Sequence, residues 1–407
     1  MFQLNWSLAQ RRTRLVALLA VLGMAGMVGL AAGVEIVRPI AGDFFAMWSF
    51  AGFGLSHPAA AIYDPDALHA FQVQLNPDFV GHFPFPYPPT YLLPLLPFGV
   101  LPIGVGWAVW TALGLGAWLL AMFAGPMQRP ALMQRSGRVR GPELMFALMA
   151  PSTVMSVISG QNGFLSAALM IGGARLMRRR PVAGGVLFGL LTFKPQLGLM
   201  VPVALLAGRR WRCIAAATTT ALLFAAVAAA AFGWSIWTVW LAALRTHWDI
   251  YVVSAARVHG KMPTVSAELA LLGASPLVAG LAQAVVSVGA AVLVWRTVQR
   301  GPDNLAMAAL LVGSFLATPY ALFYDLPSVT FAVLLLIRAV EAAGGRFALA
   351  ELLAVLLAVA MPYAQFLKGA VPLPIQSFAL AALFAVIVRR ALTQPAAQTS
   401  LAAAFPD

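Results

Sequence analysis

Long apolar runs, separated by short clusters of arginine, proline and glycine, organise this chain from residue 15 to residue 390. The first, Leu15 to Val37, is 23 residues long with Glu35 as its one charge. That exceeds both the roughly 20 residues needed to span a bilayer and the roughly 7 to 15 of a signal-peptide core, so it predicts a retained membrane helix. Further runs predict spans at 103–126, 142–159, 161–177, 182–193, 195–208, 212–233, 276–298, 303–318, 320–338, 347–366 and 371–390, twelve in all. The pieces 182–193 and 195–208 are short and are split by Lys194-Pro195. The stretch "YPPTYLLPLLPFGVLP" at 87–102 carries too many prolines for an ordinary helix and predicts a broken or re-entrant segment, so the expected count lies between 11 and 13. The pattern predicts an all-α polytopic membrane protein: one transmembrane domain over 15–392, an N-terminal segment at 1–14, and a tail at 393–407 expected to be disordered.

Composition agrees with that pattern. The 407 residues are 61% hydrophobic and only 10% charged, with a mean hydropathy of +0.86, far from soluble globular proteins. A net charge of +13 would suggest nucleic acid in a soluble protein. Here the basic residues sit at the ends of apolar runs, so they report topology and no nucleic-acid partner is expected. Arg11, Arg12 and Arg14, the group Arg129 to Arg140, Arg178 to Arg180, Arg209 to Arg212, Arg296 with Arg300, Arg338 with Arg346, and Arg389 with Arg390 mark alternate turns. By the positive-inside rule these ends are cytoplasmic, as are both termini, and the number of crossings is even. The single cysteine, Cys213, excludes an intramolecular disulfide and a cysteine-based metal cluster, and no metal site is expected.

Sorting the unusual polar residues by side changes the picture more. Residues 38–86 hold one Arg and no Lys, but contain Asp43, Asp64, Asp66, Asp78, His57, His69 and His82, and belong outside. Within them "DFFAMWSFAGFGL" and "DPDALHAFQVQL" read as amphipathic helices lying along the outer membrane surface, the second opened by an Asp64 cap ahead of Pro65. The same topology places "SGQNG" at 159–163, "FKP" at 193–195, "RTHWDIYVVSAARVHGK" at 245–261 and "ATPYALFYDL" at 317–326 on that side. Scattered structural polar groups would occur on both faces, so the convergence implies one outward-facing site at the bilayer edge.

An Asp after the first span, then in order "IYDPDALHAFQ", "FPYPPTYLLPLLPFGVLP", "ISGQNGFLSAALMIGG", "GVLFGLLTFKPQLGLMVPVALLAGRRW" and "LATPYALFYDLPSV", resembles glycosyltransferase family 87 from about residue 40 to residue 330. That family comprises membrane enzymes of the GT-C fold, typified by mycobacterial mannosyltransferases. The resemblance implies an inverting, metal-independent and cofactor-free transfer of a hexosyl or pentosyl unit, mannose-like by analogy. The donor it implies is a polyprenyl-phosphate sugar, the acceptor a lipid or glycan, and the place the outer face of a bacterial inner membrane, in envelope glycolipid synthesis.

The resemblance gives Asp43 the part of the base acting on the acceptor hydroxyl; the alternative is that it caps a helix beginning at Phe44. A carboxylate with an ordinary pKa of about 3.9 suffices because the attacking hydroxyl acidifies as its bond to the anomeric carbon forms. The leaving group is a lipid phosphate, which needs cationic stabilisation and no general acid. Lysines are scarce, occurring at 194, 261 and 368, and Lys194 lies between two apolar segments where a charge costs about 2.5 to 3.5 kcal/mol. Lys194 therefore reaches a phosphate or a carboxylate of the site, or else snorkels to the surface. Arg257, His259 and Lys261 are spaced so that an extended chain points all three to one side, toward the donor phosphate or toward anionic headgroups. Gln161 and Asn162 are expected either to contact sugar hydroxyls or to cap a helical hairpin, and Tyr87 either to shape the acceptor side or to join an aromatic belt. Actinobacterial relatives usually carry a His-His pair where this chain has Tyr324 and Asp325. That departure leaves the sugar and acceptor open, and leaves Asp325 between assisting Asp43, pairing with Lys194 and capping the next helix. The rival classes are a lipid-linked-sugar flippase and a non-catalytic envelope-assembly protein. A flippase would place polar groups at mid-depth through two related halves, whereas here they gather on one side.

Overall fold

A computed structural model describes residue 23 and residues 43–79, 81, 83–124, 141–249, 260–363 and 375–393. The expected span at 15–37 (Gly23 apart), the basic connection at 129–140, His82, Arg257, His259, Lys368 and the tail from 394 onward lie outside the described residues. Among the described residues every regular element is a helix and there is no strand.

The chain is described from α1 (Asp43–Ser56) and α2 (Pro65–Leu75). Asp64 caps α2 as its sequence foretells, its side chain accepting from the backbone N–H of Asp66 and Ala67 at 3.0 and 3.2 Å with Pro65 in the first turn. α1 differs from a helix lying on a surface: Phe44, Phe45, Ala46, Met47, Ser49, Phe50, Ala51 and Phe53 are all buried. It is enclosed because the proline-broken segment Pro89–Val100 folds back against it, and α2 adds Leu68 and Gln72 on another side. Gln72 ties the loop together, its amide donating to Ser49 Oγ at 3.1 Å and to the Phe83 carbonyl at 3.0 Å.

The bundle proper follows as α3 (Ile103–Phe123), α4 (Gly141–Met149), α5 (Pro151–Ser159), α6 (Gly163–Leu176), α7 (Pro181–Leu190), α8 (Met200–Ala207), α9 (Trp211–Phe232) and α10 (Ser235–Trp248). It continues through α11 (Val265–Leu271), α12 (Pro276–Arg300), α13 (Asp303–Ala317), α14 (Pro327–Ala342), α15 (Leu349–Ala360) and α16 (Ile375–Thr393). By length and apolarity α3, α9, α12 and α16 are each able to cross a membrane, and α4 and α5, bent by 49° at the break before Pro151, pass the same test only when taken together. Most of the remaining apolar helices are shorter, 10–17 residues, so the spans expected at 161–177, 182–193, 195–208 and 303–318 are not full-length helices. They end where the backbone turns irregular inside the protein, at Gly160, Lys194-Pro195 and Thr318-Pro319, and there neighbouring groups supply the hydrogen bonds that lipid cannot.

α13 and α14 are buried along nearly their whole length, α13 packing on α12, α14 and α16. α3, α9 and α12 expose Leu113, Leu222, Leu223, Val285 and Val288, the apolar face of a membrane protein toward lipid. α7 lies tightly on α9, since a Cβ at Gly185 would stand 2.4 Å from the Cys213 carbonyl oxygen and one at Gly189 2.6 Å from that of Ala217, a small-xxx-small contact. At the basic ends, arginines are paired between helices: Arg338 holds Glu143 in a two-point contact at 3.2 and 2.7 Å, and Arg390 and Arg389 hold Glu351.

Glu268 of α11 closes the start of α16, accepting from the backbone N–H of Gln376 and Ser377 at 2.6 and 2.9 Å and from the Ser377 hydroxyl. Glu268→Ala leaves those buried donors unsatisfied, so it should lower stability by about 2 kcal/mol, read as a reduced thermal midpoint in detergent.

Candidate functional site

A cavity of about 190 Å³ opens where the start of α1 meets four irregular segments. The first turns of α1 contribute Asp43, Met47 and Phe50, whose spacing of four and three residues puts them on one helix face. The approach to Pro89 contributes Phe83 and Tyr87; the α5–α6 turn, Gln161; the segment before α11, Lys261; and the α13–α14 connection, Tyr320, Leu322 and Tyr324. Five of the sequence-proposed site residues, Asp43, Tyr87, Gln161, Lys261 and Tyr324, thus line one space.

The α5–α6 turn is shaped by its glycines. Gly160 ends α5 at φ 61°, a left-handed conformation, with its N–H bonded to the Ser156 and Val157 carbonyls. Gly163 opens α6 so close to the other wall that a Cβ there would stand 1.9 Å from the Tyr324 carbonyl oxygen. Ser156 Oγ donates to that same carbonyl at 2.8 Å, and Trp107 and Trp110 donate to the Val157 and Gln161 carbonyls at 3.1 and 3.3 Å. With its backbone satisfied from outside, the turn points the Gln161 amide to the cavity. Gln161 Nε2 lies 3.5 Å from the Asp43 carbonyl oxygen, and its Oε1 has no protein partner among the described residues.

Asp43 begins α1 and is half-buried. Among the described residues its carboxylate makes no hydrogen bond or ion pair, so the structure shows no capping bond from it to the turn that follows. Burial raises its carboxyl above the ordinary range, and the nearby Lys261 charge partly opposes the rise. Lys261 is held through its backbone, its carbonyl accepting from the Phe323 N–H at 3.1 Å.

Lys194 does not line the cavity. It stands behind the wall, 2% exposed, with Nζ 2.5 Å from Asp325 Oδ1 and 2.8 Å from Asn162 Oδ1, both partners 1% exposed or less. Of the alternatives open for these residues, Lys194 reaches a carboxylate, and Asp325 pairs with Lys194 while its other oxygen accepts the Leu322 N–H at 3.0 Å within its own turn. Asn162 likewise faces inward and not the cavity. Phe193, next to Lys194, stacks on Tyr91 at 4.8 Å, and Tyr91 lies 4.3 Å from Tyr87, so the aromatic wall runs from the ion pair to the cavity. Among the described residues no three His, Cys, Asp or Glu side chains gather as a metal site.

Sequence reasoning did not single out Met47, Phe50, Phe83, Tyr320 or Leu322. The signal available for the first two was helical spacing from Asp43, and for Tyr320 and Leu322 their place within "TPYALFYDL". His57, His69, Asp64, Asp66 and Asp78 do not line the cavity.

A family model, glycosyltransferase family 87, matches residues 85–323, more than half of the chain. The match takes in Tyr87, the α5–α6 turn, Lys194 and Lys261, and stops just short of Tyr324 and Asp325. Searches of curated proteins and of solved structures gave no match.

Gly163→Ala forces a side chain into the Tyr324 carbonyl. It should destabilise the protein by about 3 kcal/mol, seen as a lower thermal midpoint of the purified variant.

Proposed function

Because the chain belongs to glycosyltransferase family 87, we propose that the cavity transfers a hexosyl or pentosyl unit, mannose-like by analogy, from a polyprenyl-phosphate sugar to a lipid or glycan hydroxyl. The observation that carries this reading is the Asp43 carboxylate, without a hydrogen-bond partner among the described residues, half-buried and raised in pKa, sharing a small aromatic-walled cavity with the Lys261 ammonium. One group can take a proton and the other can meet an anion, and the reaction needs both.

In the proposed step the acceptor oxygen attacks the anomeric carbon from the face opposite the phosphate. The carbon–oxygen bond to phosphate breaks with its electron pair, and the configuration inverts. As the new bond forms the acceptor hydroxyl becomes acidic, and Asp43 removes its proton late, a contribution of roughly 10²- to 10⁴-fold. A carboxyl raised by burial is, in its ionised form, a better base than an ordinary one. Lys261 stabilises the departing lipid phosphate, with Arg257 and His259, outside the described residues, as further candidates from the same segment. Lys194, already engaged with Asp325 and Asn162, is not assigned to the phosphate. The free Gln161 oxygen is suited to accept from a sugar hydroxyl, and Tyr87 and Tyr324 to pack on the ring. No metal or organic cofactor takes part in this scheme. The cavity is assigned to the outer face of a bacterial inner membrane, on the asymmetry of basic residues between the two sides.

Asp43→Asn should leave the thermal midpoint and donor binding near wild type while lowering transfer from a synthetic short-chain lipid-phosphate sugar by about 10²-fold, or about 2.7 kcal/mol. In wild-type protein the acid limb of kcat/KM should lie above the ordinary aspartate value of about 3.9, because only ionised Asp43 accepts the proton. Lys261→Met removes the charge that opposes the rise and should move that limb to still higher pH. A variant Asp43→Asn that keeps more than about a third of the wild-type rate, with chemistry limiting, rules out the base role.

The sidedness is checked by labelling. The native thiol, Cys213, is buried, so Ala60→Cys carries the reactive one. It should react with an impermeant maleimide from the outer side of intact spheroplasts; reaction only after permeabilisation would reverse the assignment.

A further inference from the structure

We propose that Lys194 and Asp325 form one positioning unit that sets three walls of the cavity in register, an inference that rests on the transferase reading of that cavity. The pair touches no open space, yet each of its hydrogen bonds ends on a segment that does. Lys194 Nζ grips Asn162 Oδ1, and Asn162 is the neighbour of Gln161 in the α5–α6 turn. Asp325 Oδ1 holds Lys194, while Oδ2 accepts the Leu322 N–H and so closes the 322–325 turn that presents Leu322 and Tyr324. From that turn Phe323 N–H donates to the Lys261 carbonyl, hanging the Lys261 segment on the same point. The Ser156 hydroxyl and the missing side chain of Gly163 press the first two walls together at the Tyr324 carbonyl.

A neutral hydrogen-bonded pair would join the same segments with less desolvation penalty, and burying two charges is weak evidence for stability alone. What the ion pair adds is direction. Nζ carries three donors and no acceptor, and ionised Asp325 accepts only, so Asn162 is compelled to offer Oδ1 to Lys194 and to turn its NH₂ away. A helix break at Lys194-Pro195 delivers the ammonium to that point, because the interrupted backbone lets the side chain leave α7 at its end and not along its face.

The unit is tested in the full-length purified protein with Lys194→Met, Asp325→Asn and the apolar double replacement Lys194→Met/Asp325→Leu, which leaves no unpaired charge if either single variant fails to fold. Transfer is measured with a panel of synthetic short-chain polyprenyl-phosphate hexoses and pentoses. In parallel, Tyr320→Cys is placed in each background and its labelling rate by a small thiosulfonate is read, which needs no catalysis. Folded variants should lose about 10²-fold in kcat, as for a misplacement of about 1 Å, with donor KM changed by less than about threefold. The double variant should be no worse than the poorer single, as for residues acting as a unit. Labelling at Tyr320→Cys should quicken in every background lacking the pair.

A raised donor KM in Lys194→Met, not shared by Asp325→Asn, would overturn the proposal in favour of direct phosphate contact. Wild-type kcat and unchanged labelling in the double variant would overturn it in favour of a purely architectural pair. If the labelling responds as expected while wild-type protein transfers no sugar from any donor of the panel, the positioning of the walls stands and the transferase reading falls.

Discussion

In apolar surroundings a backbone N–H or C=O left without a partner costs several kcal/mol, and that constraint governs this chain more than any packing preference. It makes every regular element among the described residues a helix. It also dictates how helices end. Each helix leaves orphan groups at its termini, and where an end is enclosed by protein a side chain from another element must supply the partner. Gln283 and Ser287 of α12 donate to the Leu316 and Ala317 carbonyls at the end of α13, both at 2.8 Å. Trp107 of α3 does the same for Val157 of α5, and Glu268 of α11 for the start of α16.

The cavity is a consequence of those endings. α5 stops at Gly160, α7 and its terminal turn stop before Lys194, and α13 stops at Thr318, and all three irregular segments come together around the same few residues. Irregular backbone is tolerated at depth only where protein encloses it or where it borders a cavity, so collecting the breaks in one place both satisfies them and creates a polar-edged space. α1 is drawn in as the remaining wall, which is why it is buried over most of its surface and not laid along a rim.

Charge follows the same division. At the basic ends, arginines meet Glu143, Asp303 and Glu351 between helices, and these contacts join elements without facing the cavity. In the interior behind the cavity, Lys194 and Asp325 are fully engaged with each other and with Asn162. The charges lining the cavity, Asp43 and Lys261, are half-buried and, among the described residues, make no ion pair. Two lysines of similar rarity in the sequence therefore stand in different surroundings, Lys194 against two protein acceptors and Lys261 at the cavity.

The sequence alone determined the class of the protein, the helical texture, the breaks at Gly160, Lys194-Pro195 and the 87–102 prolines, and the gathering of unusual polar residues into a few segments. These are local properties: a long apolar run has one way to satisfy its backbone in lipid, and proline, glycine and a lone lysine interrupt it wherever they stand. The lengths of the helices between the breaks were less legible, because an apolar run does not reveal whether its end is capped by a distant side chain or continues. Which candidates share a space was decided by tertiary structure only. Asp43 and Lys261 are more than two hundred residues apart in the chain, and Lys194 and Asp325 are separated by 131. The spacing along the chain cannot tell a lysine that faces a cavity from one that faces a carboxylate, since that depends on which helix endings the packing brings to the same point.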